Sequence, residues 1–245
     1  GAAVYLVVSW RVRADAGNWH VCPAGMAVGH GGRPLADGLD AIYRRHNENY
    51  PGEFMEMEYP LRLERYAIVP DSGGPGKYRG GCGVIRDVRL LADTGTFGLR
   101  VENSIFPTWG VNGGMGGGTS RVVMNPGTSA EKEVQAFSDD NIWSKEDLVR
   151  IYTAGGGGWG DPLEREPHLV NDDVKDGYVT LEAALRDYGV VIDPVTLATD
   201  EQGTEAKREE IGLSRGPTKM FHRFNYFDTA DEEYQWINEH FPRCP

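Results

Sequence analysis

The stretch that decides the fold is Ala154-Gly155-Gly156-Gly157-Gly158-Trp159-Gly160-Asp161-Pro162. Its four consecutive glycines suggest a phosphate loop, because backbone N–H groups can cradle phosphate and a following helix N-terminus adds a favourable field. Neither this run nor a second cluster at residues 113–118 is followed by Lys and then Ser or Thr, or by a clear helix. We therefore expect backbone bends and close packing at both clusters, which glycine commonly provides.

The composition excludes several classes of protein. Glycine supplies 33 of 245 residues, which favours many turns over long helices. A formal net charge of −12 argues against nucleic-acid binding, which depends on Lys and Arg neutralising phosphates. No apolar run approaches the length of a membrane-spanning helix, so we expect no membrane association and a cytoplasmic location. Three widely spaced cysteines, Cys22, Cys82 and Cys244, indicate thiols in a reducing compartment.

Period-two alternation predicts strands up to the glycine run. The clearest pattern covers residues 55–64, where Met, Tyr and Leu alternate with Glu, Pro and Arg. Pro60 cannot donate to a ladder, so it places this strand at a sheet edge or marks a bulge. Residues 70–76 predict a compound turn rich in Pro and Gly. Further strands are predicted at residues 4–13, 84–91, 97–105, 121–124, 131–137 and 148–153, with a glycine-rich loop at 18–34.

Helical periodicity replaces this pattern after Pro162. Helices are predicted at residues 168–176 and 180–188, the second with Thr180 as N-cap and Gly189 as its stop. Residues 190–192 then read as a short strand, and residues 200–213 as a charged, solvated helix. Residues 220–241 are dense in aromatic side chains, which predicts a docking segment.

These patterns predict an α+β fold with a β-rich, Gly-rich core of mixed strands followed by short C-terminal helices. We divide the chain into a β-rich core at residues 1–162, a helical segment at 163–213 and an aromatic docking tail at 214–245. The first strand begins abruptly at the start of the sequence. This favours a piece of a longer or split polypeptide.

A metal site has weak candidates in His20, Cys22 and His30, whose imidazoles and thiolate would suit zinc. Their spacing matches no common ligand pattern, and a packed turn explains the same residues. We therefore assign no metal ligand.

No catalytic residue is assigned either. Ser72 lies in Asp-Ser-Gly-Gly, which differs from the Gly-x-Ser-x-Gly elbow and is typical of a turn. Asp139 with Asp140, and Asp172 with Asp173, lack apolar neighbours in sequence that would raise a carboxyl pKa, so solvated charge is expected for both pairs.

An ordered set of motifs carries a family resemblance. In chain order, the motifs are Met55-Glu56-Met57-Glu58-Tyr59-Pro60-Leu61-Arg62, Glu64-Arg65-Tyr66, the stretch 70–81, the run 154–162, Leu163-Glu164-Arg165, and the stretch 183–189 leading into Val190-Val191-Ile192. With these motifs the chain resembles the C-terminal part of the B-type subunit of the hydantoinase, 5-oxoprolinase and acetone or acetophenone carboxylase family over roughly residues 24–210. Cys82 departs from the small or apolar residue expected after Gly80-Gly81, and no family motif is recognised beyond about Leu213.

The resemblance implies a subunit of a hetero-oligomeric, ATP-dependent enzyme that hydrolyses a cyclic amide such as a hydantoin, oxoproline or lactam. An A-type partner would bind ATP and Mg²⁺, and the remaining B-type portion or the partner would hold a divalent metal. The family's metal motifs have no counterpart here, so no ligand is transferred, and the isolated chain is expected to be inactive.

Two alternatives stay open. The first is a subunit of an ATP-dependent ketone carboxylase, because nothing in the sequence separates water from an activated carboxyl group as the second reactant. The second is a non-catalytic assembly module of such a complex, favoured by the aromatic tail and by the lack of a complete site.

Overall fold

The computed structural model describes residues 6–13, 19–43, 51–215 and 221–222. Strands dominate up to the glycine run, and helices follow it. In chain order the elements are β1 (Leu6–Arg13), β2 (Trp19–Gly25), α1 (Gly52–Glu58), β3 (Leu61–Ile68), β4 (Val84–Leu90), β5 (Thr94–Val101), β6 (Gly110–Val111), β7 (Arg121–Met124), β8 (Lys132–Val134), β9 (Phe137–Ser144), β10 (Leu148–Tyr152), a 3₁₀ turn (Pro162–Glu164), α2 (Pro167–Lys175), α3 (Leu181–Tyr188), β11 (Val191–Ile192), β12 (Thr199–Asp200), α4 (Glu201–Arg215) and β13 (Phe221–His222).

Two sheets share one hydrophobic core. Their strand orders are β2-β1-β5-β9 and β3-β4-β10-β7-β8, and neighbouring strands pair antiparallel in both. The first sheet contributes Trp10, Phe97 and Trp143, and the second contributes Val88 and Ile151. The Trp10 and Trp143 rings stack with centroids 4.7 Å apart. Removing these apolar faces from water favours the association of the sheets. The α+β prediction is confirmed.

The strand predicted at residues 55–64 is wrong in its first half. Residues up to Glu58 form helix α1, and β3 begins only after Pro60. Met55 is 1% exposed and Met57 is 82% exposed. A strand would place both on one face, whereas a helix turns them about 200° apart. The strand that does form lies at a sheet edge and has a bulge between Leu63 and Arg65, which agrees with the expectation drawn from Pro60.

Other predicted boundaries need correction. The loop expected at 18–34 contains strand β2, so Cys22 lies on a strand. The strand expected at 97–105 is β5, which begins earlier, at Thr94, and ends at Val101. The sequence pattern missed β9, because this edge strand buries only Trp143, while its other apolar residues, Phe137 and Ile142, are exposed among polar ones. Strands predicted at 84–91, 121–124 and 148–153 are confirmed within one residue.

The helical segment has its own small core. Val170, Ala184, Tyr188 and Val190 are each at most 1% exposed and pack together. Helix α3 begins as predicted, since the Thr180 hydroxyl accepts a hydrogen bond from the Ala183 amide, and it ends at Gly189 in the left-handed region (φ 62°). The predicted helices at 168–176 and 200–213 are also confirmed, as α2 and α4.

The aromatic segment at residues 220–241 lies outside the described residues apart from Phe221–His222. These two residues pair antiparallel with β6 of the same chain. Within the described residues, no helix is long and apolar enough to cross a membrane.

Candidate functional site

The glycine run is the centre of a bundle of extended segments. The glycine bundle consists of residues 29–32, 72–83, 108–118 and 153–160. A Cβ atom added at Gly156 would lie 2.0 Å from the His30 carbonyl oxygen, and one added at Gly157 would lie 1.7 Å from the Trp109 carbonyl oxygen. Real Cβ atoms do not approach backbone this closely, so only glycine fits at these positions.

Close approach, rather than left-handed backbone, explains the run at 155–158. Positive φ occurs at Gly160 (76°) and at Gly113 (95°), but at none of the four central glycines. In the turn at residues 70–76 the left-handed position is taken by Asp71 (φ 60°), and its glycines are held by contacts with other backbone segments. The packing interpretation of both glycine clusters is therefore supported.

The bundle uses its own amides. Gly155 donates to the Gly118 carbonyl (3.1 Å), Gly156 to the Gly81 carbonyl (2.9 Å), and Gly158 to the Met115 carbonyl (2.8 Å). A phosphate cradle needs N–H groups that point at the ligand. These three N–H groups already have carbonyl acceptors, so they do not serve that purpose.

A buried arginine–aspartate cluster, consisting of Arg79, Arg165, Asp37, Asp40 and Asp173, joins the bundle to the helices. Arg79 is 5% exposed and donates through Nη1 and Nη2 to both oxygens of Asp40 (2.8 and 3.0 Å). Its Nε donates to Asp173 Oδ1 (2.9 Å). Arg165 is 2% exposed and donates to both oxygens of Asp37 (2.7 and 2.8 Å) and to Asp173 Oδ2 (2.8 Å). Asp173 on α2 therefore bridges the two guanidinium groups.

The electrostatics of the cluster favour the charged forms of its arginines. Burial alone would lower the pKa of Arg79, but the hydrogen bonds and charges of Asp40 and Asp173 raise it above its ordinary value. Burial likewise lowers the pKa of Arg165, but the carboxylates of Asp37 and Asp173 raise it, and the net pKa is above its ordinary value. Removing one member of such a buried network leaves an uncompensated charge, which costs about 3–5 kcal/mol.

The expectation of solvated charge was wrong for Asp173, which is 7% exposed. It was correct for Asp139 and Asp140, which are exposed, and for Asp172, whose ion pair with Lys175 lies at the surface. Neighbours in sequence do not reveal this difference. The two arginines of the cluster lie inside motifs that carry the family resemblance, Arg79 in the stretch 70–81 and Arg165 in Leu163-Glu164-Arg165. Membership of these motifs was the signal in the sequence that could have identified them.

Two of the three metal candidates, Cys22 and His30, lie in different surroundings. The Cys22 thiol is fully buried in the hydrophobic core, and burial raises its pKa. His30 is exposed at the rim of the glycine bundle. His20 lies on β2, and its side chain is outside the described part. Among the side chains that are described, no group of three or more His, Cys, Asp or Glu could hold a metal ion.

The hydroxyl group of Ser72 makes hydrogen bonds to the backbone. Its Oγ donates to the Val69 carbonyl (2.6 Å) and accepts from the Gly83 amide (2.9 Å), and the residue is 6% exposed. A nucleophilic serine needs an adjacent base and access for the substrate. These contacts agree with the turn assigned to Ser72 from the sequence.

The family model of hydantoinase B/oxoprolinase matches residues 2–162. This chain belongs to that family. The match begins earlier than the resemblance recognised from residue 24, because it includes β1 and β2. It ends at Pro162, where the glycine bundle gives way to the helical segment.

Individual hydantoinase B/oxoprolinase relatives differ in the chemistry their names state. A protein provisionally named as the B-type subunit of a D-/L-hydantoinase, from Pseudomonas sp. (strain NS671), is 36% identical over 179 residues, which cover 68% of this chain and 28% of that protein. The acetone carboxylase alpha subunit of Xanthobacter autotrophicus is 31% identical over 229 residues, covering 77% of this chain and 29% of the relative. The chain thus spans less than a third of the length of either relative.

A solved structure extends the similarity into the helices. The nucleotide-free structure of acetone carboxylase, described as an enzyme of ATP-dependent acetone carboxylation, superposes with a TM-score of 0.74 at 25% identity. The superposition covers 96% of this chain and 35% of that chain. The arrangement of the helical segment on the glycine bundle therefore recurs in this relative.

Proposed function

We propose that this chain is part of the B-type subunit of an ATP-dependent enzyme that hydrolyses a cyclic amide and works with an ATP-binding A-type partner. The observation that carries the proposal is the hydantoinase B/oxoprolinase match across residues 2–162, which contain the whole glycine bundle. ATP and Mg²⁺ would bind to the partner. A divalent metal would bind outside the described residues of this chain.

The geometry supports a scaffolding role for the described region within such an enzyme. The amides of Gly155, Gly156 and Gly158 are used internally, and the arginine–aspartate cluster makes its ion pairs within the chain. A packed support of this kind holds neighbouring catalytic groups in fixed positions. Chemistry on the carbonyl substrate would then take place on other portions of the assembly.

The test uses the chain purified together with its partner subunits. ADP release is measured with a hydantoin, 5-oxoproline or a lactam in bicarbonate-free buffer, and separately with acetone or acetophenone plus bicarbonate. Amide-dependent ADP release with ring opening supports the proposal. ADP release that requires a ketone and bicarbonate would contradict the proposal and support the carboxylase alternative, which the acetone carboxylase relatives favour.

A matched pair of variants tests the scaffolding role. Asp173→Asn removes the bridge between two buried guanidinium groups, whereas Asp172→Asn changes its exposed neighbour. We expect substrate-dependent ADP release to fall in the first complex and to stay at the wild-type level in the second. Equal activity in both complexes would show that the arginine–aspartate cluster is not needed for activity.

The second candidate is a non-catalytic assembly module. The lack of a metal-holding group among the described side chains favours it. Partner subunits that stay active without this chain but no longer assemble into one complex would support the module, whereas partner subunits that still assemble without it and are inactive support the enzymatic role.

A further inference from the structure

Arg86 is a charged residue on the inner face of a core strand. Side chains alternate between the faces of a strand, so Arg86 shares a face with Val84 and Val88 on β4. Both valines belong to the hydrophobic core between the two sheets. Arg86 itself is 4% exposed. Its guanidinium group is therefore placed among apolar side chains.

This guanidinium group has no carboxylate partner within the described residues. Nη2 donates to the Met55 sulfur (3.4 Å), which is a weak acceptor, and Nε has no hydrogen-bond partner. Among the described side chains, the other two arginines buried to this extent, Arg79 and Arg165, each contact two carboxylates. Arg86 is thus an exception to the chain's own pattern.

Two other arginines of this protein bind a carboxylate through the edge of the guanidinium group that carries Nε and Nη2. Arg150 donates through Nε and Nη2 to the two oxygens of Asp87 (2.8 and 2.7 Å). Arg89 uses the same two nitrogens for the two oxygens of Glu64. One planar carboxylate satisfies this edge of a guanidinium group by two parallel hydrogen bonds. Within the described residues, the only hydrogen bond at this edge of Arg86 is the weak one to the Met55 sulfur.

Side chains around Arg86 suit a carboxylate more than a metal or a larger anion. The Tyr66 ring centroid lies 5.7 Å from the guanidinium carbon, and Tyr66 is 44% exposed at the sheet edge. Cys22 and Tyr43 are its other polar neighbours, and burial outweighs their influence, so the pKa of Arg86 is lowered. A buried cation in this environment is stabilised by one compact anion that is itself desolvated.

We propose that Arg86 is a carboxylate-binding residue, and that its Nε and Nη2 bind one carboxylate supplied from outside the described residues of this chain. The carboxylate comes either from an Asp or Glu side chain of an assembled polypeptide or from a free carboxylate anion. Both sources offer the same two oxygens to the same edge. Bidentate binding to Arg is among the strong charge-assisted hydrogen bonds of proteins.

The first experiment measures urea unfolding of the 245-residue chain, wild type and Arg86→Met, in sodium formate and in sodium chloride of equal ionic strength. Met keeps the length and apolar character that this interior accepts. We expect R86M to raise the urea midpoint in chloride, because it removes an uncompensated buried charge. Arg165→Met is the control, and it should lower the midpoint in both salts because it removes the guanidinium group that pairs with Asp37 and leaves Asp173 with Arg79 alone.

The second experiment measures the affinity between the chain and its co-purified partner subunits, and this arm alone rests on the proposed function. If the carboxylate belongs to a polypeptide, R86M weakens assembly by about 30-fold or more, as expected for truncating one member of a buried charge pair. Arg33→Met, which changes an exposed arginine, is the matched control.

Each outcome decides the question. Formate that raises the midpoint of the wild type but not of R86M supports a free carboxylate. Weakened assembly of R86M without a formate effect supports a polypeptide carboxylate. The proposal is overturned if R86M lowers the midpoint as R165M does, or if it leaves both the formate response and assembly unchanged.

Discussion

Replacing Gly156 by Ala adds one methyl group at the centre of the glycine bundle. The new Cβ atom would lie 2.0 Å from the carbonyl oxygen of His30, 2.2 Å from its carbonyl carbon and 2.5 Å from the Gly31 nitrogen. All three are backbone atoms of another segment, so no side-chain rotation relieves the contact. Residues 29–32 or the glycine run must move.

The cost of that movement follows from the hydrogen bonds it disturbs. The Gly156 amide donates to Gly81 (2.9 Å), its carbonyl accepts from Gly74 (2.8 Å), and the His30 carbonyl accepts from Gly81 (2.7 Å). Overpacking a close-packed interior costs about 1–3 kcal/mol, and each weakened buried hydrogen bond adds about 1 kcal/mol. We expect Gly156→Ala to lower the free energy of unfolding by about 4–6 kcal/mol.

Two further glycines provide a graded comparison for the same chemical change. A Cβ atom at Gly118 would lie 3.3 Å from Ser72, a tight contact, and one at Gly212 on α4 would meet nothing within 4 Å. We expect Gly118→Ala to cost about 1 kcal/mol and Gly212→Ala to stabilise the helix by about 1 kcal/mol. The assay is equilibrium unfolding in urea, followed by the fluorescence of the buried Trp10 and Trp143.

The order of the three variants tests the packing argument. If Gly156→Ala and Gly118→Ala lowered the free energy of unfolding equally, within about 0.5 kcal/mol, close approach would not explain the run. If Gly212→Ala also destabilised the chain, the assay would be reporting a general effect of alanine rather than contacts with Ser72 or His30.

Three more perturbations have defined outcomes. Asp173→Asn should lower the free energy of unfolding by about 3 kcal/mol in urea, while Asp172→Asn stays within about 0.5 kcal/mol of wild type; equal effects would contradict the cluster. Thr180→Ala should cost about 1–2 kcal/mol, measured as a lower Tm, through loss of the cap of α3, and an unchanged Tm would refute this. The hydrogen bond from Arg89 lowers the pKa of Glu64 to about 2 from 4.5. This stabilisation is present above the unfolded pKa and disappears as pH falls through the folded one. Glu64→Gln should therefore destabilise the chain at neutral pH and lose this effect near pH 2, and urea midpoints at both pH values check it.

Local signals predicted the elements that local forces determine. Helix α3 has a hydroxyl N-cap at Thr180 and a glycine stop at Gly189, and both act as the sequence indicates. Strands β7 and β10 have apolar residues at their buried positions, Val122 and Val123 in β7 and Val149 and Ile151 in β10. In these elements the side chain, the backbone preference and the burial agree, so their positions could be read from residue type alone.

Tertiary contacts decided the positions that the sequence did not reveal. The alternation at residues 55–58 fits a strand, but only Met55 finds a buried place, and α1 forms instead. Asp173 carries the same charge as Asp172, and its burial depends on Arg79, 94 positions away in the sequence. Sequence neighbours contain no information about such a distant partner, and this limited the prediction of the candidate site to its motifs.

The glycine bundle depends on the arginine–aspartate cluster to hold its segments in place. Segments without side chains can pack backbone to backbone, but they bury no apolar side chains of their own and must be held in place by their flanks. Arg79 lies within one bundle segment, and Arg165 lies just beyond the end of another. Asp173 on α2 binds both guanidinium groups, so the first helix after the family match fixes two segments of the bundle at once.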